Sequence, residues 1–178
     1  EVEFSLCRTD LMHLLQSTHF AMSQQDVRVF LNGLLLEIDT QTITAVGTDG
    51  HRMAISRIPH TSGNNHLKLL LPRKGVQEVL RLLNNIDDEA VGIAIGKNHF
   101  KLISRQYTFL SKLIEARFPP YHKAIPRQQD KQVIIERDLL KRALARIVIL
   151  AHEKSKAVLL HMQEGQITLI ANNQEHEE

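Results

Sequence analysis

The chain has little cysteine, no tryptophan, and no surplus of charge of either sign. Its single Cys7 cannot close an internal disulfide, and no second cysteine gives a metal-ligand spacing, which points to a reducing, cytoplasmic setting. Aromatic residues make up only 4%, which argues against a protein built to stack single-stranded bases. Charged residues are 24% and carry both signs, with a formal net charge of only +2, the balance of an ordinary globular protein. No apolar run approaches the roughly 20 residues that a membrane span needs. Residues 1–8, EVEFSLCR, lack an initiator Met, a basic n-region and an apolar h-region, so they read as the first strand of a domain cut from a longer chain. The acidic NNQEHEE at 172–178 ends without a closing element, and both ends are expected to be boundaries of a piece. Catalytic signatures are missing too. There is no G-x-S-x-G, P-loop, H-E-x-x-H or paired-carboxylate motif, and the ten histidines include no H-x-H or H-x-x-x-H pair. Neither cofactor nor metal is expected.

What is present is enough apolar material for a core, 43% of 178 residues, arranged in a repeat. Residues 9–22 carry Leu11, Leu14, Leu15, Thr18 and Met22 at helical spacing. Residues 27–39 and 41–49 read as strands with a polar break at Asp39 to Gln41, and 51–58 as a third strand. The strand 66–72 then leads into a second helix with Val76, Val79, Leu80 and Leu83 on one face and Pro72 near its first turn. Three more strand-like runs follow, 90–96, 99–105 and 107–114. The order strand, helix, three strands has thus occurred twice.

Residues 116–130 hold three of the five prolines and no periodicity, the mark of a connector. Beyond it, KQVIIE reads as a strand and 137–152 as a helix with Leu140, Ala143, Leu144, Ile147 and Ala151 on one face. Two strand-like runs, 157–163 and 166–172, complete this part. The repeat is visible in letters: 8-RTDLMHLL aligns with 137-RDLLKRAL, and 42-TITAVGTD with 166-QITLIANN. The expected organisation is a two-repeat domain over 1–118, a connector over 119–130 and a single repeat over 131–178. The single repeat should be the less stable, having little to pack its helix against. Cys7 is expected as a small core residue within the first strand.

Outward cations recur on the predicted helices: Lys74 and Arg81 on the second, Lys141, Arg142 and Arg146 on the third. A solvated face is the plain reading of any one helix; recurrence in the same repeat favours a positive surface that meets phosphates without reading bases. The stretch 47-GTDGHRMAI-55 admits two readings. Asp49-Gly50 is a turn dipeptide between strands, or His51 is a general base oriented by Asp49 in a hydrolase or nuclease. The missing catalytic motifs weigh against the second.

Taken together, QDVRVFLNGLLLE at 25–37, TDGHRMA at 48–54, LPRKGVQEVLRLL at 71–83, SKLIEARFPPY at 111–121, DLLKRALARIVIL and EGQITLIANN resemble the bacterial beta sliding clamps, the processivity subunits of DNA polymerase III. The resemblance covers essentially the whole chain and implies an α+β DNA-clamp fold, with repeated β-α-β-β-β units whose helices lie on one face of antiparallel sheets. It assigns 1–118 to the middle domain and 131–178 to the first half of the third. It implies a non-catalytic accessory subunit that encircles duplex DNA without sequence preference. Replicative and translesion polymerases, the clamp loader and repair proteins would dock through short linear motifs. The full-length family forms a homodimeric ring, and ring closure is not expected of this piece.

By position, Leu31, Thr48, Gly50, His51, Arg52, Met53 and Pro119 match the family's peptide-binding cleft, with Lys123 and Ala124 a looser match. Gln25, Arg28 and Phe30 match its DNA-contacting segment, to which Arg73 and Lys74 are added. Arg142 and Arg146 follow from helix geometry alone.

Overall fold

The computed structural model describes residues 2–61, 66–126, 130–151 and 157–171. The tail at 172–178, the end of the expected third helix at His152, and parts of the connector and of the loop before residue 66 lie outside the described residues. The chain divides into two compact units, Glu1–Ala124 and Ile125–Glu178.

In unit 1 the elements run β1 (Val2–Cys7), α1 (Arg8–Gln16), β2 (Gly33–Ile38), β3 (Thr42–Thr48), β4 (Met53–Pro59), β5 (Leu67–Pro72), α2 (Arg73–Asn84), β6 (Ala90–Ile95), β7 (His99–Ile103) and β8 (Thr108–Lys112). All strand pairings are antiparallel, in two four-stranded sheets ordered β1-β6-β7-β8 and β4-β3-β2-β5. The two repeats therefore exchange strands. The strand that precedes each helix joins the sheet of the other repeat, β1 beside β6 and β5 beside β2.

That exchange is paid back in burial. Leu11, Leu14 and Leu15 of α1 and Val76, Val79 and Leu83 of α2 are 0–2% exposed, in one core with Leu34 and Leu36 of β2 and Ile93 and Ile95 of β6. Fully burying one such side chain is worth about 1.5–3 kcal/mol. Strand alternation turns Leu35 of β2 to the opposite face, where it joins Val46, Leu70 and Tyr121 in a second, smaller cluster flanked by Phe30, Met53, Ile114 and Phe118.

Several elements differ from what periodicity predicts. The first helix stops at Gln16, not residue 22. The buried Thr18 hydroxyl donates to the Leu14 carbonyl at 2.8 Å while its N–H turns to Leu15, so a short 3-10 turn, His19–Ala21, replaces the next helical turn. Residues 27–32 are not strand. Asn32 donates to the Asp26 carbonyl at 2.8 Å and accepts from the Asp26 N–H at 2.9 Å, closing a loop that ends in a 3-10 turn, Val29–Asn32. Cys7 is exposed rather than core, because it ends β1 and starts α1, with its thiol 3.0 Å from the Thr9 hydroxyl.

Unit 2 contains α3 (Arg137–Val148) and the antiparallel hairpin β9 (Leu159–Gln163) and β10 (Gln166–Ile170), turning at Gly165 with φ 72°. Glu136 caps α3, its carboxylate accepting from the N–H groups of Asp138 and Leu139 at 2.9 and 2.6 Å. The segment 131–136, expected as a strand, is not one among the described residues: no neighbouring strand offers it hydrogen bonds. The stripe Leu140, Ala143, Leu144 and Ile147 is only half-buried.

Candidate functional site

The turn between β3 and β4 is fixed by its own side chains. Gly50 sits at φ +89°, a conformation that favours glycine, and a Cβ there would also lie 3.2 Å from Arg28 Nη2. The Thr48 hydroxyl donates to the Arg52 carbonyl at 2.7 Å and accepts from the Gly50 N–H at 3.1 Å. Asp49 Oδ1 accepts from the N–H groups of His51 and Arg52 at 2.9 and 3.0 Å, and Asp49 Oδ2 from Arg52 Nε at 3.1 Å. Burial pushes the Asp49 carboxyl up, but the two N–H groups and the guanidinium outweigh it and hold it below its ordinary value.

This geometry is that of the turn reading: both Asp49 oxygens serve the backbone and Arg52, and none of these bonds goes to the His51 imidazole. Among the described residues, no three His, Cys, Asp or Glu side chains gather as a metal would require.

What the turn presents is a cation in a set pose. Arg52 Nη2 donates to the Phe20 carbonyl at 2.9 Å, and its guanidinium carbon stands 5.8 Å from the Phe20 ring centroid. Its side chain remains 60% exposed with donors to spare. Met53, the next residue, belongs to the second apolar cluster with Phe30 and Phe118, whose rings meet edge to face at 6.1 Å. A polar rim and an apolar floor thus adjoin within two residues.

The other expected cleft residues are placed unevenly. Leu31 is 2% exposed and offers no surface itself. Pro119 is exposed beside Phe118 and lines a groove with Leu35, Leu70, Ile114 and Tyr121. Lys123 and Ala124 are exposed in the 3-10 turn Tyr121–Ala124. Sequence reasoning missed what anchors that turn. The buried Tyr121 donates its hydroxyl to Glu37 Oε2 at 2.6 Å, and its ring lies 3.9 Å from that of His122. Burial, then the bond to Glu37, pushes the phenol up. A lone acid, Glu37, in the apolar run LLLEI was the available signal.

A second, more open concavity lies where α2 begins, lined by Gln25, Asp26, Asn32, Arg73, Lys74 and Gln77 among others. It brings together three of the expected DNA contacts. Lys74 is exposed, whereas Arg73 donates to the Met22 carbonyl at 3.2 Å. Arg28 is exposed but held by Asp26 through two 3.0 Å bonds, and these hold the Asp26 carboxyl down to about 2. Phe30 packs in the apolar cluster rather than in this concavity. Arg142 and Arg146 are exposed one turn apart on α3, in unit 2. Among the described residues no helix is long and apolar enough to cross a membrane.

Comparison with known proteins agrees with this architecture. The family described as DNA polymerase III beta subunit, central domain, matches residues 5–120, and the one described as its C-terminal domain matches residues 122–178. The curated beta sliding clamp of Pseudomonas aeruginosa is 41% identical over 99% of this chain, and that of Escherichia coli K12 39% identical over all of it. In each case the chain spans 48% of the relative's length. A crystal structure of the Pseudomonas aeruginosa DNA polymerase III subunit beta superposes with a TM-score of 0.94 at 39% identity, covering 99% of this chain and 48% of that one. The Thermotoga maritima beta subunit, at 21% identity, shares the fold with a TM-score of 0.90 over 99% of this chain and 48% of its own.

Proposed function

The chain belongs to the DNA polymerase III beta subunit family, the bacterial sliding clamps, and from that premise we propose that it acts as part of a processivity clamp. The clamp would encircle duplex DNA without reading its sequence and hold polymerases, the clamp loader and repair proteins by short peptide motifs. In this reading 1–118 serve as the middle domain, 119–130 as the connector and 131–178 as the first half of the third domain. The full-length protein would form a homodimeric ring, work in the cytoplasm, and carry out no bond-breaking chemistry of its own.

The observation that supports the peptide site most directly is the Thr48–Met53 turn, whose hydrogen bonds pose Arg52 beside the apolar Met53–Phe118 cluster. An extended peptide meets such a site with an aliphatic or aromatic side chain on the cluster and its carbonyls or amides on Arg52 and His51. Lys74, with Gln25 and Arg73 in the concavity at the start of α2, is the matching group for phosphate contact.

The test is a calorimetric titration with a peptide bearing Gln, an aliphatic residue and a terminal Leu-Phe. Replacing Arg52 or Met53 by Ala is expected to weaken binding about tenfold, the loss of one charge-assisted hydrogen bond or one buried side chain. Unchanged affinity in both variants rejects the site. DNA binding is expected to be indifferent to sequence, to fall steeply with salt and to weaken in Lys74→Glu; a preferred base sequence in competition rejects the non-specific contact.

A further inference from the structure

The sheet face that carries the smaller apolar cluster is also crossed by a polar row. Antiparallel register sets Arg57 of β4 opposite Thr44 of β3, Thr44 opposite Glu37 of β2, and Glu37 opposite Lys68 of β5. Arg57 Nε donates to the Thr44 hydroxyl at 3.0 Å, and Lys68 pairs with Glu37 Oε1. Strand alternation puts Glu37 on the same face as Leu35, so the row borders the cluster of Leu35, Val46, Leu70 and Tyr121. Burial pushes the Glu37 carboxyl up, but the bonds from Lys68 and Tyr121 outweigh it and hold it below its ordinary value. At neutral pH the group is therefore a carboxylate, the acceptor of a strong bond.

What that carboxylate holds is the segment with Pro119, Lys123 and Ala124, three of the expected cleft residues. Backbone bonding to the sheets stops just before it, with the Leu113 N–H on the Asn98 carbonyl and the Ile114 N–H on the Leu70 carbonyl. Pro119 and Pro120 have no N–H to offer, and the Ala116 and Lys123 N–H groups bond to the Ile114 and Pro120 carbonyls in local turns. Among the described residues, the one hydrogen bond from 115–124 to the sheet is the Tyr121 hydroxyl on Glu37 Oε2, at 2.6 Å. From there contact passes along rings. Tyr121 meets Phe118 edge to face at 6.4 Å, and Phe118 meets Phe30 at 6.1 Å in the cluster that includes Met53.

We propose that Glu37 is a positioning residue for the peptide site. Acting through the Tyr121 hydroxyl, it docks 118–124 on the face of β2 and β5 and so sets the gap between the wall at Phe118 and Pro119 and the wall at Arg52 and Met53. With its side chain only 16% exposed, Glu37 acts at one remove from any ligand. A cleft that takes a short peptide gains from being formed beforehand: a wall free to lift away is in place for only part of the time, and affinity falls by that fraction. The role rests on the peptide reading of this site and is independent of the DNA contacts.

The test is a calorimetric titration of the folded 178-residue chain with the same Leu-Phe-ending peptide. Tyr121→Phe and Glu37→Leu are each expected to weaken binding about fivefold, the worth of one hydrogen bond. Glu37→Gln, whose amide oxygen still accepts, is expected to stay within about twofold of the wild type. Both losses belong to one bond, so the double variant Tyr121→Phe/Glu37→Leu should also lose about fivefold, not the ~25-fold of independent sites. Arg8→Ala, which removes a 2.9 Å bond to the Leu83 carbonyl of α2, should bind as the wild type does. Wild-type affinity in Tyr121→Phe, while Arg52→Ala binds weakly, overturns the role and leaves the peptide site standing. The role falls equally if Glu37→Gln is as weak as Glu37→Leu, if the double variant shows additive losses, or if Arg8→Ala loses as much, the sign of a general loss of stability. A wild-type chain that takes no peptide, or one indifferent to both Arg52→Ala and Met53→Ala, removes the site and this role with it.

Discussion

Helices α2 and α3 are each twelve residues long and each carries an apolar stripe on one face, yet six residues of α2 are buried and none of α3. Their difference lies in what surrounds them. α2 meets α1 and the strands exchanged between two repeats, whereas α3 meets the hairpin of a single repeat. Amphipathic spacing states what a helix needs covered; only a second layer supplies the cover.

The largest expected effect sharpens this contrast. Leu83 is fully buried on α2, so Leu83→Ala is expected to cost about 3–4 kcal/mol in denaturant unfolding of unit 1. Leu144→Ala on the half-buried α3 stripe is expected to cost under about 1 kcal/mol; equal losses would erase the distinction. Next is Gly47→Ala. A Cβ there would stand 2.4 Å from the Thr18 carbonyl oxygen, and because that contact is backbone, about 2 kcal/mol is expected from the forced shift. A smaller loss, about 1 kcal/mol, is expected for Tyr121→Phe, which removes one hydrogen bond to Glu37 while Lys68 still pairs with that carboxylate.

The smallest effect is one of pH. The Asp26 carboxyl is held by Arg28 at about 2, below its ordinary 3.8, so the folded state binds its proton less readily than the unfolded chain. The contribution is complete above about pH 4 and is lost as pH falls toward 2. Asp26→Asn is expected to flatten the acid limb of the stability curve over that window, and an unchanged limb would show the pair to be without consequence.

Both helix stripes and the β3–β4 turn were legible in the sequence because each is written in neighbouring residues: Val76, Val79, Leu80 and Leu83 in one case, Asp49-Gly50 in the other. The exchange of first strands was not, since β1 meets β6 across more than eighty residues and no local period encodes that partnership. Local side-chain bonding hid two boundaries, at Thr18 and at Asn32, where a hydroxyl or an amide takes the carbonyl or N–H that a longer element would use. KQVIIE has strand composition but, among the described residues, no strand beside it, the same lesson as α3 in another element. Of the candidate site, Thr48, Gly50, His51 and Arg52 were legible as a turn. Tyr121 was not, because its partner Glu37 lies on a strand 84 residues away.

Native-state hydrogen exchange in dilute solution tests most directly the claim that a repeat of this fold is stable only when a second one covers it. The amides of Val76 to Leu83 in α2 are expected to exchange only with global unfolding of unit 1, and those of Leu140 to Ile147 in α3 orders of magnitude faster. Equal protection of the two helices would contradict the account.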